Sequence, residues 1–298
     1  MAAAAERDSG PDRLFTVANY LVLGVFLLMV LYPLTYIVSA SLSDPQAVAA
    51  GKVWLWPVNF DLDGYKVIFE YKSIARGFAN SIFYAVAGAV FSVVVTLLAA
   101  YPLSRRDLYG RGLITAYFVF PMLFSGGMIP TYLVVQQTHL LNTRWALIVP
   151  TALGIWNVII TRTYFQMTIP DELLEAARVD GCDDFRFFLR VVLPLSKPII
   201  AVNALLYAVG QWNQFFNALI YLTDDQLFPL QLVLRQILVQ NTVDPSQLSD
   251  PTALARQEHL RDLVKYSLIV VSSLPPLLAY PFVQKYFVKG LMIGSLKG

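Results

Sequence analysis

Glu175-Ala176-Ala177-Arg178-Val179-Asp180-Gly181, with Leu193-Pro194 twelve residues beyond the glycine, is the stretch on which the reading of this chain turns. It is a polar, charged helix–glycine–helix segment set between two apolar stretches long enough to span a bilayer. Pro170 opens it, and Asp171 and Glu172 complement the positive end of a helix dipole. Leu173, Leu174, Ala177 and Val179 supply an apolar face. Gly181 can take the left-handed conformation that ends a helix. A second short helix, Asp183 to Val192, carries Phe185, Phe187, Phe188 and Leu189, and Pro194 is expected to stop it. Such an elbow, charged at its edges and apolar on one face, fits a groove in a partner outside the membrane.

The rest of the chain is built for lipid. Of 298 residues, 57% are apolar and only 14% charged, against about a quarter in soluble domains. The bilayer must be the solvent. A net charge of +2 offers no basic patch for nucleic acid. The single cysteine, Cys182, excludes an internal disulfide and a cysteine metal cage. His139 and His259 stand far apart in sequence, so no metal centre is expected. No acid pair, metal-spaced histidines or nucleophile–base pattern argues for an enzyme. The chain also lacks a Gly-x-x-x-x-Gly-Lys-Ser/Thr phosphate loop, so any ATP hydrolysis must come from elsewhere.

Six spans are expected: Leu14 to Ala40, Phe78 to Leu103, Leu113 to Val135, Trp145 to Thr161, Pro198 to Leu222 and Val264 to Val283. The first is read as retained, because no small-residue cleavage signal follows it. The third is interrupted by Pro121, Gly126, Gly127 and Pro130, either because it faces protein or a pathway or because a helix ends at the interface. With the N-terminus inside, the cytoplasmic pieces hold 13 of the 22 basic residues, most tellingly Arg105, Arg106 and Arg111 in one short turn. Both termini and the Glu175 elbow then lie in the cytoplasm. The expected division is a cytoplasmic tail over 1–13, one six-helix membrane domain over 14–288 with its elbow at 168–197, and a cytoplasmic tail over 289–298.

Polar residues at bilayer depth mark a bundle interior. Gln211, Trp212, Asn213, Gln214 and Asn217 cluster in the fifth span, with Asn213 and Asn217 at i, i+4 on one helical face. Amides beside an aromatic ring suit a sugar; equally, they suit inter-helix bonding. Trp54 and Trp56 read as an aromatic belt or as a contact for an external protein. Arg162 follows the inside-positive bias, and His139 is expected to be solvated at a helix end.

The elbow resembles the EAA loop of importer-type ABC permeases, with Glu175, Ala176, Ala177, Gly181, Val191, Leu193 and Pro194 in the expected places. Ala79-Asn80-Ser81-Ile82, Ala100-Tyr101-Pro102-Leu103-Ser104-Arg105, Gln211-Trp212-Asn213 and the end from Val288-Lys289-Gly290 to Leu296-Lys297-Gly298 resemble the carbohydrate-uptake branch. The likeness is to the maltose permease G-type subunit and to permeases for larger oligosaccharides such as alginate or pectin fragments. It implies an all-α, six-helix, type I importer fold. It implies half of a translocation pathway, a second homologous permease, two cytosolic ATPases that carry the ATP and Mg, and an external sugar-binding protein. The setting implied is a bacterial cytoplasmic (inner) membrane. Glu175, Ala176, Ala177, Asp180, Gly181, Leu193 and Pro194 would couple to the ATPase, and Gln211, Trp212, Asn213 and Asn217 are the candidates for the pathway. The tail Gly290 to Gly298 would reach between the ATPases. A same-fold permease for a peptide or phosphonate is the alternative.

Overall fold

The structure is a computed structural model and describes residues 10–240, 264–281 and 284. Most of the expected N-terminal tail, His259, the end of the second outer loop and the tail 289–298 lie outside the described residues. Everything described is helix, turn or loop, apart from one isolated bridge between Ser43 and Phe60. Contacts divide the chain into two units, one drawn from Met1–Glu70 and Gln240–Val271, the other from Tyr71–Val239 and Ser272–Gly298.

The first unit holds α1 (Gly10–Ser41), α2 (Pro45–Ala49) and α3 (Asp63–Glu70). Its small core is Ala40, Ala47 and Val53. Three buried serines at the end of α1 tie down the loop that follows. Ser39 Oγ donates to the Leu55 carbonyl at 2.6 Å, Ser43 Oγ accepts from the Val58 N–H at 3.0 Å, and Ser41 Oγ meets Tyr65 Oη at 2.7 Å. Trp54 and Trp56 project from that loop, strongly exposed.

The second unit is organised on α4 (Lys72–Ser104). After a turn come α5 (Arg111–Leu123) and α6 (Met128–Gln137), then α7 (Trp145–Ile148) and α8 (Ile155–Thr168). The elbow follows as α9 (Asp171–Val179), α10 (Asp184–Phe187), a wide π turn at Phe188–Val192 and α11 (Leu193–Leu195). It continues into α12 (Lys197–Trp212), α13 (Phe216–Tyr221) and α14 (Leu230–Arg235). The helix over residues 264–281 contributes its part from Ser272 onward to this unit and runs through Pro275 and Pro276. Helices α12, α8 and α14 pack on α4.

Among the described residues, α1 and α4 are long and apolar enough to cross a membrane, each with mean hydropathy 2.4. The count rises to four if each of two bent helix pairs is one span. One pair is α5 and α6, the expected third span, bent by 117° where Gly127 takes φ 84°. The other joins Asp184–Leu195 to Lys197–Trp212 at 79°. The expected fourth span is likewise two helices, α7 and α8, with Pro150 in the gap withholding a backbone donor. The expected fifth breaks between Trp212 and Phe216. Pro194 does not stop the elbow's second helix. The π turn just before it absorbs the missing donor, helical structure continues through Leu195, and the bend falls at Ser196.

Lipid gives helices no hydrophobic reason to associate, so close packing and interhelical hydrogen bonds must do it. Both are present here. Helix α4 offers Gly88 to α12, where an added Cβ would lie 2.8 Å from Gln211 Cδ. Asn203, Tyr207 and Gln211, at i, i+4 and i+8, form a buried polar stripe on α12. Asn203 Nδ2 donates to Thr161 Oγ1 at 2.7 Å, and Asn157 Nδ2 donates to Asn203 Oδ1 at 2.9 Å. Tyr207 Oη shares a 2.6 Å bond with Thr96 Oγ1 and accepts the Gly154 N–H at 3.0 Å. Gln211 Nε2 donates to Thr151 Oγ1 at 3.0 Å. Thr151 and Gly154 belong to the gap between α7 and α8, and Tyr207 there satisfies a backbone N–H, that of Gly154, which the broken helix leaves free.

Candidate functional site

The elbow is built as its sequence implies at the glycine. Helix α9 ends in a Schellman motif: Gly181, at φ 73°, donates its N–H to the Arg178 carbonyl at 3.0 Å, and Cys182 donates to the Ala177 carbonyl at 2.8 Å. Asp183 caps α10 by accepting the Arg186 N–H at 2.8 Å. The apolar residues divide in two directions. Leu174, Phe187, Phe188 and Val192 join the main core, with Ala177, Cys182 and Leu193 packed against it. Val179 is 88% exposed and Phe185 67%. The expectation of a single apolar face on α9 therefore fails at Leu173 and, most strongly, at Val179, both of which are exposed. Glu175, Ala176, Asp180, Gly181 and Pro194 are also exposed.

What the sequence reading missed is how the elbow is anchored. Arg105, at the end of α4, grips Asp107 with two bonds, Nε to Oδ1 at 3.0 Å and Nη2 to Oδ2 at 2.7 Å. Arg178 of α9 reaches Asp107 Oδ2 at 3.0 Å and Asp184 Oδ1 at 3.7 Å. Arg105 Nη1 closes the circuit to Asp184 Oδ1 at 3.3 Å. Four charges of alternating sign form a closed ring. Arg106 adds a separate bond to Asp171 Oδ2 at 3.3 Å, in the first turn of α9. The Arg105 guanidinium, aided by Arg178, holds the Asp107 carboxyl at about 2, below its ordinary value. Stability from a depressed carboxyl is present at neutral pH and is lost as pH falls from about 4 through about 2. The signal available in sequence was the basic turn itself, read only as topology.

Beside the ring lies a cavity of about 480 Å³ lined by Tyr101, Arg105, Arg111, Gln166 and Glu172 among others. Arg162 Nε donates to the Leu103 carbonyl at 3.0 Å, and Gln166 Nε2 to the Ser104 carbonyl at 3.3 Å. Both satisfy carbonyls that the end of α4 leaves without helical partners. Arg162 thus has a structural task beyond the charge bias.

The four pathway candidates separate. Gln211 and Trp212 are buried, the latter donating Nε1–H to the Ser272 carbonyl at 3.0 Å. Asn213 is exposed at the end of α12, and Asn217 is half-buried on α13. Because the helix breaks between them, Asn213 and Asn217 do not share the i, i+4 face expected of one continuous span. The Asn80-Ser81 pair has a visible role. Asn80 Nδ2 donates to the carbonyls of Gln226 and Phe228 at 2.8 and 3.1 Å, and Ser81 Oγ accepts the Leu230 N–H at 2.8 Å. Tyr84 Oη adds a 2.8 Å bond to the Leu227 carbonyl, so one turn of α4 clasps the segment 226–230. His139, at φ 56°, sits exposed just past α6, as expected.

A helical membrane chain with two long apolar helices, a buried polar stripe and an anchored polar elbow has the make-up of a transport subunit. The chain belongs to the family of binding-protein-dependent transport system inner membrane components, whose model matches residues 92–293. Similar proteins include Protein LplC of Bacillus subtilis (strain 168), 44% identical over 292 residues and covering 96% of each chain. The polygalacturonan/rhamnogalacturonan transport system permease protein YtcP of the same organism is 42% identical over 290 residues, spanning 96% of this chain and 99% of that one. A chain from the crystal structure of a bacterial ABC transporter involved in the import of the acidic polysaccharide alginate superposes with a TM-score of 0.86. It is 36% identical, over 95% of this chain and all of the other.

Proposed function

We propose that this chain is a permease subunit of a sugar-importing ABC transporter and that its cargo is an oligosaccharide or polysaccharide fragment of the acidic class. The observation that carries the sugar reading is near-full-length identity above 40% to a polygalacturonan/rhamnogalacturonan permease, joined by the likeness to an alginate importer. A peptide or phosphonate permease of the same fold is the alternative, and Gln211-Trp212-Asn213 argues against it. In this reading the chain crosses the inner membrane six times with both termini in the cytoplasm. The bent pairs count as spans, the tails are 1–13 and 289–298, and the elbow at 168–197 lies inside. A second permease completes the pathway, two ATPases bearing ATP and Mg dock below, and a sugar-binding protein docks outside.

The elbow around Glu175, Ala176, Ala177, Asp180 and Gly181 is then the coupling helix, with Leu193 and Pro194 behind it. Its exposed apolar residues, Val179 and Phe185, are suited to burial in an ATPase groove. ATP favours the outward-open state through that contact, and the loaded binding protein favours the same state from outside. Each acts only through its differential affinity for the two states. Gln211 and Trp212 serve as bonds between helices, while Asn213 and Asn217 are the side chains placed to meet sugar.

Reconstituted with its partners, the complex should hydrolyse ATP several-fold faster when binding protein loaded with oligogalacturonate or alginate oligomer is added. Acceleration by a loaded peptide-binding protein instead would overturn the sugar reading. Asn213→Ala should change the preference among sugar lengths without changing the amount of complex assembled. Lost assembly with unchanged preference would assign Asn213 to packing.

A further inference from the structure

The nine residues of α9 are tied at both ends to one short turn. Arg106 holds Asp171 in the first turn of α9, and Asp107 holds Arg178 in the last. Asp184, across the glycine turn, is drawn to Arg105 and Arg178 together. These partners are 71 and 79 residues apart in sequence, so local helix formation does not account for the contacts.

Their exposure makes the ring a weak source of stability. The side chains of Asp107, Arg178 and Asp184 are 50–62% exposed, and ion pairs so exposed to water contribute little to stability. What the ring supplies is geometry. Arg105 is the exception, with a side chain only 13% exposed, and its two parallel bonds to Asp107 fix a planar fork in one orientation. Arg178 and Asp184 flank Gly181 by three residues on either side, so a bond between each of them and the same turn sets the angle of the elbow. Without the ring, what remains of the tether is the Arg106–Asp171 pair at the start of α9 and the packing of Leu174 and Phe187 in the shared core.

We infer that the Arg105–Asp107–Arg178–Asp184 ring is the mechanical joint of the permease, making α9 and the end of α4 a single rigid piece. A push received by α9 is then delivered to α4 and to the helices packed on it. Asp107 and Arg178 are positioning residues: they act through Arg105 and Asp184 on the relation of α9 to α4. The inference rests on the reading of α9–α10 as the ATPase-facing elbow.

The test is the ratio of sugar imported to ATP hydrolysed in proteoliposomes of the complete complex, for Asp107→Asn, Arg178→Gln, the pair together and Glu175→Lys. A broken joint lets ATPase cycles run without moving α4, so the ratio should fall at least threefold in Asp107→Asn. The double variant should be no worse than either single one, since one joint is broken once. A purely structural ring would lower uptake and hydrolysis in proportion and leave the ratio at the wild-type value, which overturns the inference. Additive losses in the double variant overturn it as well. Arg178→Gln, at a half-exposed position, keeps the test decisive if Asp107→Asn assembles poorly. If Glu175→Lys alone loses coupling, the elbow reading stands and the ring falls. If Glu175→Lys and the ring variants all keep the wild-type ratio, the elbow reading falls with it.

Discussion

Gly181→Pro is expected to reduce sugar uptake to background, at least tenfold, while the permease still assembles in the membrane. Proline holds φ near −65°, whereas position 181 sits at +73°. The substitution also removes the N–H that Gly181 donates to the Arg178 carbonyl. The Schellman turn cannot form, and α10 must leave α9 at a different angle. The damage is local because Gly181 is exposed and the core residues Leu174 and Phe187 are untouched. Gly181→Ala is the graded control. A non-glycine residue in left-handed geometry costs about 1–2 kcal/mol, so uptake should fall only a few-fold. The measurement is initial uptake rate normalised to assembled complex. Full uptake by Gly181→Pro would sink both the turn's importance and the coupling reading.

Gly88→Leu is expected to keep the complex from accumulating at all. Even a methyl group at that position lies 2.8 Å from Gln211 Cδ and 2.9 Å from Gln211 Cγ, well inside contact distance. Gln211 cannot retreat easily. It is buried, bonded to Thr151, and accepts the Gln214 Nε2–H at 2.7 Å. Overpacking of a well-filled interior costs about 1–3 kcal/mol, and displacing Gln211 also strands its polar partners. Gly88→Ala should lower the thermal midpoint of the detergent-solubilised complex by several degrees. Gly88→Ala combined with Gln211→Ala should recover part of that loss, because the shortened side chain vacates the space. Wild-type accumulation of Gly88→Leu would show that α4 and α12 do not pack as described.

The helical class, the elbow and its glycine turn were legible because each has a local cause. An apolar run dictates a helix, and a glycine with the right neighbours dictates a left-handed cap. Three of the expected spans nonetheless proved interrupted. Hydropathy sums composition over a window and is blind to whether backbone hydrogen bonds run unbroken through it. Asn213 and Asn217 were assigned to one face on the assumption of an unbroken helix, and the break after Trp212 removes that relation. The charge ring was invisible for a different reason. Arg105 and Asp184 are distant in sequence, and nothing in either neighbourhood names the other. Asn80 shows the same limit from another side, since its partners are backbone carbonyls, which no side-chain pattern reveals.

The π turn at Phe188–Val192 takes one residue more than an α-helical turn would over the same rise. One residue is about 100° of rotation in an α-helix. That surplus residue therefore sets the angular phase with which the helix reaches the 79° bend at Ser196, from which α12 starts. With that phase Asn203 meets α8, and Tyr207 and Gln211 meet the gap between α7 and α8, in place of the apolar positions beside them. A chain shortened by a single residue between 188 and 192 would keep its hydropathy profile and its glycine turn, yet present the wrong side of α12 to its neighbours. The spacing between the elbow and the polar stripe is in this sense a setting shared by both, and a change in loop length there is a change in what the bundle interior contains.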